Sequence, residues 1–286
     1  MKQIFFYILC LAIIKESYGQ GKVNIGLGKL NEYLTEVYSN STTFFDTTRL
    51  NYRNESYELS LSDIPNKRLN GLITLGILDT YARNTKSAIQ KFNQAMLLDS
   101  NCYQCYLKLH WINFYILNNF QESNKIAKLG ISKFESVVKK DSSKSENWSK
   151  LYNMYSLNES RQTVKSKQRM KYISRKRVEL DSINPYYNWE NSFHCDDKDK
   201  ELYLLKAYHI YPSEDIFWNA IANYYCEKKN LAAVLRIMNE VKNEENDSSF
   251  WFQQMALFYY RLGRKTEAKE IYNDAKKRGF DIVYKY

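Results

Sequence analysis

The clearest order in this chain is a recurring spacing of large and small apolar residues among polar ones. The segment FWNAIANYYCEKKN, beginning at Phe217, aligns with WFQQMALFYYRLGR, beginning at Trp251. Trp218 and Phe252 are 34 residues apart, as are Ala222 and Ala256, and Tyr225 and Tyr259. Within each segment an aromatic residue is followed by a small one four positions on and a Tyr three later, which places all three on one face of a helix. The small residue lets a neighbouring helix approach closely, and the aromatics fill the space beside it. A second helix follows each segment after a short turn. Ala268, Tyr272 and Ala275 mark the last of these, beyond a turn at Gly263, and Val234, Met238 and Val241 mark the one before.

Similar pairs are legible upstream. Leu72, Leu75 and Gly76 fit a first helix, and Ala88, Phe92 and Ala95 fit a second that closes at Asp99-Ser100. The next unit runs from about Cys102 to Val138, with Leu107, Trp111 and Phe114 in its first helix to within one residue of register. Trp148, Leu151, Tyr152 and Tyr155 begin another that soon loses the pattern. Ala207 and Pro212 look like the end of one more, whose degenerate first helix would lie near Pro185 to Cys195. The divisions expected from this reading are a leader at 1–19, an N-terminal cap at 20–68, and helical repeats at 69–138. A basic degenerate repeat or connector at 139–180, further repeats at 181–282 and a tail at 283–286 complete them.

The period of 34 and the series Ala256, Tyr259, Gly263, Ala268, Tyr272 and Ala275 resemble the tetratricopeptide repeat family over about residues 215–282. The resemblance implies an all-α fold, an α-solenoid of helix-turn-helix units whose first helices line a concave face. It also implies a protein or peptide partner and a scaffold that is not an enzyme. With Trp218, Ala222, Tyr225, Phe252, Ala256 and Tyr259 turned to the packing side, the groove would be lined by Asn219, Asn223, Gln253, Gln254, Tyr260 and Arg261. Side-chain amides can bond a peptide backbone as donors and acceptors, and Arg261 can hold a carboxylate. The clamp that some members use for a C-terminal carboxylate needs Lys where Asn219 and Gln253 stand, so backbone-directed or mixed recognition is expected.

Composition agrees with stacked helices. The 286 residues include only 9 Gly and 3 Pro but 25 Tyr, too few breakers for a fold rich in tight strand connections. The N-terminus reads as a signal peptide, with Lys2, an apolar run from Ile4 to Ile14, and small residues Ser17 and Gly19 before a cleavage expected at Gln20. That run is shorter than the roughly 18–20 apolar residues that cross a bilayer, and no later segment reaches such a length, so no transmembrane span is expected. The expected product is exported, periplasmic or secreted. Five Asn-x-Ser/Thr sequons, at Asn40, Asn54, Asn147, Asn158 and Asn246, matter only in a host with eukaryotic glycosylation.

Candidate chemistry is sparse. There is no phosphate-binding glycine loop, nucleophile elbow or zinc-protease histidine pair, and no cofactor or metal is implied. His110 and His209 fall in expected packed helices, as structural residues. His194-Cys195-Asp196-Asp197 reads as a loop with some capacity for a metal. Loss of the leader leaves Cys102, Cys105, Cys195 and Cys226, for which three pairings are open in an oxidising compartment. Cys102 and Cys105 stand at an expected helix start, where a lowered thiol pKa would allow redox activity, although the helical surroundings favour a structural role.

The net charge is +10, from 42 Lys and Arg against 32 Asp and Glu, which favours an anionic neighbour without specifying one. From Arg161 to Arg177 the charged residues are all basic: Arg161, Lys165, Lys167, Arg169, Lys171, Arg175, Lys176 and Arg177. Met170, Ile173 and Leu180 would hold this segment down as a helix. Its solvated face is a candidate for an anionic surface or acidic glycan; nucleic acid is not expected for an exported protein.

Overall fold

The computed structural model describes residues 47–158, 163–242 and 248–282. The expected leader, residues 20–46 of the expected N-terminal cap, Arg161, and the tail 283–286 lie outside them. Helix accounts for 79% of the described residues, which contain no strand. The helices are α1 (Thr47–Ser60), α2 (Pro65–Tyr81), α3 (Thr85–Leu98), α4 (Tyr103–Trp111), α5 (Phe120–Lys140), α6 (Ser145–Leu157) and α7 (Val164–Leu180). They continue with α8 (Pro185–Asn191), α9 (Asp197–Ile210), α10 (Asp215–Glu227), α11 (Leu231–Glu240), α12 (Ser249–Arg261) and α13 (Lys265–Lys277). None among the described residues is long and apolar enough to cross a membrane. The chain divides after Gly130 into two compact units.

In the first unit α2 packs against both α1 and α3. Two glycines on α2 permit this. A Cβ at Gly71 would stand 2.3 Å from the Ser60 backbone nitrogen, and one at Gly76 would stand 2.8 Å from the Phe92 ring. Phe92, Ala88 and Ala95 are fully buried on α3, as their spacing requires. The first helix of this pair begins at Pro65, whose fixed φ suits the opening turn, so the boundary expected at 68 falls inside α2. Asp79 is buried at the end of α2, and its carboxylate accepts from Arg53 Nη2 at 2.7 Å and Ser87 Oγ at 2.6 Å.

A disulfide joins Cys102, the residue preceding α4, to Cys105 in its first turn. The buried positions of α4 and the π-helical turn Ile112–Ile116 that extends it are Cys105, Tyr106, Leu107, Leu109, His110, Ile112 and Asn113. Trp111 and Phe114 are only half-buried, so the packing face sits one residue before the one the spacing suggests, and the wider π turn shifts it further. His110 is held inside by Ser123, whose Oγ lies 2.8 Å from Nδ1.

The second unit contains the end of α5 and four helix pairs: α6/α7, α8/α9, α10/α11 and α12/α13. The 34-residue register runs through this series. Ile173, Ala207, Val241 and Ala275 are each 34 positions on from the last, and all are buried towards or just past the end of a second helix. On the first helices Asn188, Ala222 and Ala256 correspond in the same way and are buried. Asn188 takes the place of a small apolar residue with its amide nitrogen satisfied locally, Nδ2 donating to the Ser182 and Asn184 carbonyls, both at 2.9 Å. This explains why α8 hides in the sequence.

The turns within pairs also correspond. The residue at the turn is left-handed in each of Arg83, Lys229 and Gly263 (φ 59°, 55° and 80°). The next backbone nitrogen donates five residues back: Asn84 to Asp79, Asn230 to Tyr225, Arg264 to Tyr259, at 2.8–2.9 Å. This is a Schellman closure of the first helix. Asn230 then accepts from the Ala233 nitrogen, and Ser248 accepts from that of Trp251, which caps α11 and α12.

Candidate peptide-binding face and the basic segment

On α10 and α12 the packing face is as the spacing implies: Trp218, Ala222, Tyr225, Phe252 and Ala256 are buried and Tyr259 is half-buried. Of the six residues on the other side, three are brought together. Asn223 Nδ2 donates to the Asn219 carbonyl at 2.7 Å and to Asn219 Oδ1 at 2.9 Å. Arg261 Nη1, one repeat later, donates to Asn223 Oδ1 at 2.8 Å. A polar chain thus links successive first helices across their half-buried outer faces. Gln253 and Gln254 are half-buried on α12 outside this chain of bonds, and Tyr260 carries the Lys265 ammonium 5.7 Å from its ring centre. Burial pushes the nearby Cys226 thiol up, with Arg261 acting against it.

The basic segment is not one cationic face. Within α7, Met170, Ile173, Ser174, Arg177 and Val178 are buried, whereas Leu180 at its end is exposed and does not hold the helix down. Arg177 is a core residue at 1% exposure, which removes it from any surface site. Its guanidinium lies between the rings of Tyr187 and Tyr152, 4.1 and 4.5 Å from their centres. Nη1 pairs with Glu190 at 2.6 Å and Nε donates to Ser149 Oγ at 3.0 Å. Ser149 in turn donates to the Tyr187 hydroxyl at 2.9 Å. His194 Nε2 lies 3.0 Å from the Tyr152 hydroxyl, and burial, then the Arg177 charge, lower its pKa. This cluster fastens α6, α7 and α8 together.

The other charges of α7 are largely compensated. Arg169 forks onto Glu135, Lys171 pairs with Asp196 at 2.7 Å, and Lys176 and Arg175 both approach Glu179. Lys165 and Lys167 are exposed in the first turns. Glu135 and Arg169 are 34 residues apart, so opposite charges at equivalent positions of successive second helices were a signal present in the sequence. Glu135, Trp148, Arg169 and Tyr172 line a cleft of about 530 Å³ that spacing alone did not suggest.

Of the remaining candidates, His209 is exposed on α9 rather than packed. Cys195 and Cys226 are free, the latter buried, and the described residues contain no cluster of three His, Cys, Asp or Glu placed to hold a metal. Both sulfurs of the Cys102–Cys105 bridge belong to buried residues.

No protein-family model matches the chain, and no curated protein matches it. Solved structures do. The chain is similar to MamA protein, at 13% identity and a TM-score of 0.44, covering 64% of this chain and 98% of that one. It is similar to TTC0263, a thermophilic TPR protein in Thermus thermophilus, at 12% identity and a TM-score of 0.45 over 68% and 98%. It is also similar to YrrB, described as a TPR protein with an unusual peptide-binding site, at 12% identity and a TM-score of 0.38 over 60% and 83%. What this chain's own geometry shows, in its 34-residue register, buried small residues and repeated turn closure, is an all-α solenoid fold of tetratricopeptide-like helix pairs.

Proposed function

We propose that this protein is an interaction scaffold, exported from the cytoplasm, that captures an extended segment of a protein partner on the outer faces of α10 and α12. The observation that carries the reading is the chain Asn219–Asn223–Arg261. It fixes two amides on α10 and a guanidinium on α12, so that a peptide backbone crossing them meets the Asn219 amide nitrogen and the remaining Arg261 hydrogens as donors and the second lone pairs of the Asn219 and Asn223 side-chain oxygens as acceptors. Arg261 is exposed and keeps donors beyond the one given to Asn223, enough for a carboxylate on the bound segment. Export rests on the leader-like sequence of residues 1–19, and the bridge between Cys102 and Cys105 accords with an oxidising compartment.

The test is affinity capture from the native host with the wild-type chain and with Asn223→Ala/Arg261→Ala. The partner found is then titrated as a purified protein. The double variant should bind at least about tenfold more weakly and stay folded with a melting temperature only a few degrees lower, because it loses one exposed bond between α10 and α12, worth about 1 kcal/mol, and nothing from the packing face. Equal affinity would move the binding surface elsewhere.

A further inference from the structure

The cleft among α5, the start of α6, and α7 lies on second helices, away from the face just discussed, and its chemistry stands independently of that reading. Arg169 is held in place on one side. Its Nε and Nη2 donate to the two oxygens of Glu135 at 2.9 and 2.5 Å, and the Tyr155 hydroxyl donates to the same carboxylate at 3.0 Å. The guanidinium is also stacked, 5.1 Å from the Tyr172 ring centre and 5.7 Å from that of Trp148. A guanidinium has five N–H donors. The end edge, formed by Nη1 and the second hydrogen of Nη2, has no acceptor among the described residues, and the side chain remains 31% exposed.

Lys139 is exposed on the same cleft wall, so Arg169, Lys139 and Glu135 together leave one net positive charge. Tyr172, 45% exposed, and Val138 add an apolar border. The cleft is open to solvent, and its volume of about 530 Å³ is ample for one side chain of a bound segment. A fixed, planar pair of donors matches two coplanar oxygens, and one net charge matches one carboxylate. We infer that this cleft binds a Glu or Asp side chain of an acidic protein segment, its carboxylate on the end edge of Arg169 and beside Lys139, its stem against Tyr172.

The experiment uses the full chain and fluorescein-labelled oligoglutamate and oligoglutamine peptides, read by fluorescence anisotropy at physiological ionic strength. Oligoglutamate should bind and oligoglutamine should bind at least about tenfold more weakly. Lys139→Glu should weaken oligoglutamate at least about tenfold, and Arg169→Lys, which keeps the charge but loses the fork, by a similar factor. Lys165→Glu makes the same charge change on α7 outside the cleft and should alter affinity less than about twofold. Melting curves of all three variants establish that each is folded. Equal losses in Lys139→Glu and Lys165→Glu, or equal binding of the two peptides, would overturn the assignment. So would displacement of oligoglutamate by sulfate but not by sodium chloride of equal ionic strength, which would give the edge to a tetrahedral oxyanion.

Discussion

Arg177→Gln should be among the most damaging single changes in the second unit. Arg177 is 1% exposed and its partner Glu190 16%. The substitution removes the ion pair at 2.6 Å, the bond to Ser149, and the packing of the guanidinium between Tyr152 and Tyr187. Gln is too short to restore that geometry, so Glu190 is left largely buried without its cation. Removing one partner of a buried pair costs about 3–5 kcal/mol, a large share of the ~5–15 kcal/mol that holds a domain folded. At about 2–4 °C per kcal/mol for a unit of this size, the melting midpoint should fall by roughly 6–20 °C. Circular dichroism at a helix-sensitive wavelength, followed against temperature and urea, measures it. A loss below about 1 kcal/mol, the range of exposed pairs, would show that Arg177 is not the anchor described here. A companion variant separates charge from shape. Arg177→Met with Glu190→Leu removes both charges and should recover most of the loss, since apolar replacements of buried pairs are often neutral or better. A double variant no more stable than Arg177→Gln would assign the cost to packing alone.

At the repeated turn, Lys229→Gly should raise stability by ~0.5 kcal/mol and Gly263→Ala should lower it by about 1 kcal/mol, because both positions are left-handed. Urea midpoints of the two variants check the signs, and nothing within 4 Å of a Cβ at Gly263 confuses strain with a clash. Gly71→Ala should cost about 1–3 kcal/mol and free α1, since the added carbon would meet backbone of Leu59 and Ser60; limited proteolysis within 47–60 should accelerate, and unchanged resistance would refute it. His194 has a folded pKa below the ordinary histidine value of 6.5, first through burial. Its neutral form is therefore favoured by folding, and stability should be complete above that value and decline as pH falls below it toward the folded pKa. His194→Gln should flatten this decline in melting curves, and an equal pH slope in both proteins would exclude the residue. N-terminal sequencing of the protein made in its native host should begin at Gln20, whereas a retained Lys2 would refute export by this leader.

Much of the fold was determined by the sequence itself, for a local reason. Ala222 and Ala256, Trp218 and Phe252, and Ala268 and Ala275 carry their burial in residue type, and a period of 34 is one helix pair, so spacing alone gave both helices and their packing faces. The outer-face residues Asn219, Asn223 and Arg261 followed by subtraction, although the bonds joining them depend on how far apart α10 and α12 pack. Where a position departs from the usual residue type, tertiary structure decided. Asn188 fills an alanine site with its amide nitrogen bonded to backbone carbonyls at and just before the start of α8, which no hydrophobicity pattern registers. Arg177 lay in a run of basic residues that read as a solvated face; Tyr152, Tyr187 and Glu190, from α6 and α8, supply the rings and the counter-charge that make its burial tolerable. The same holds for Arg169, whose one edge is occupied by Glu135 and whose other is open only because of where α5 and α7 pass one another. A charge in a sequence carries no information about its partner's distance, and the Coulomb attraction that offsets the desolvation of a buried charge depends on that distance.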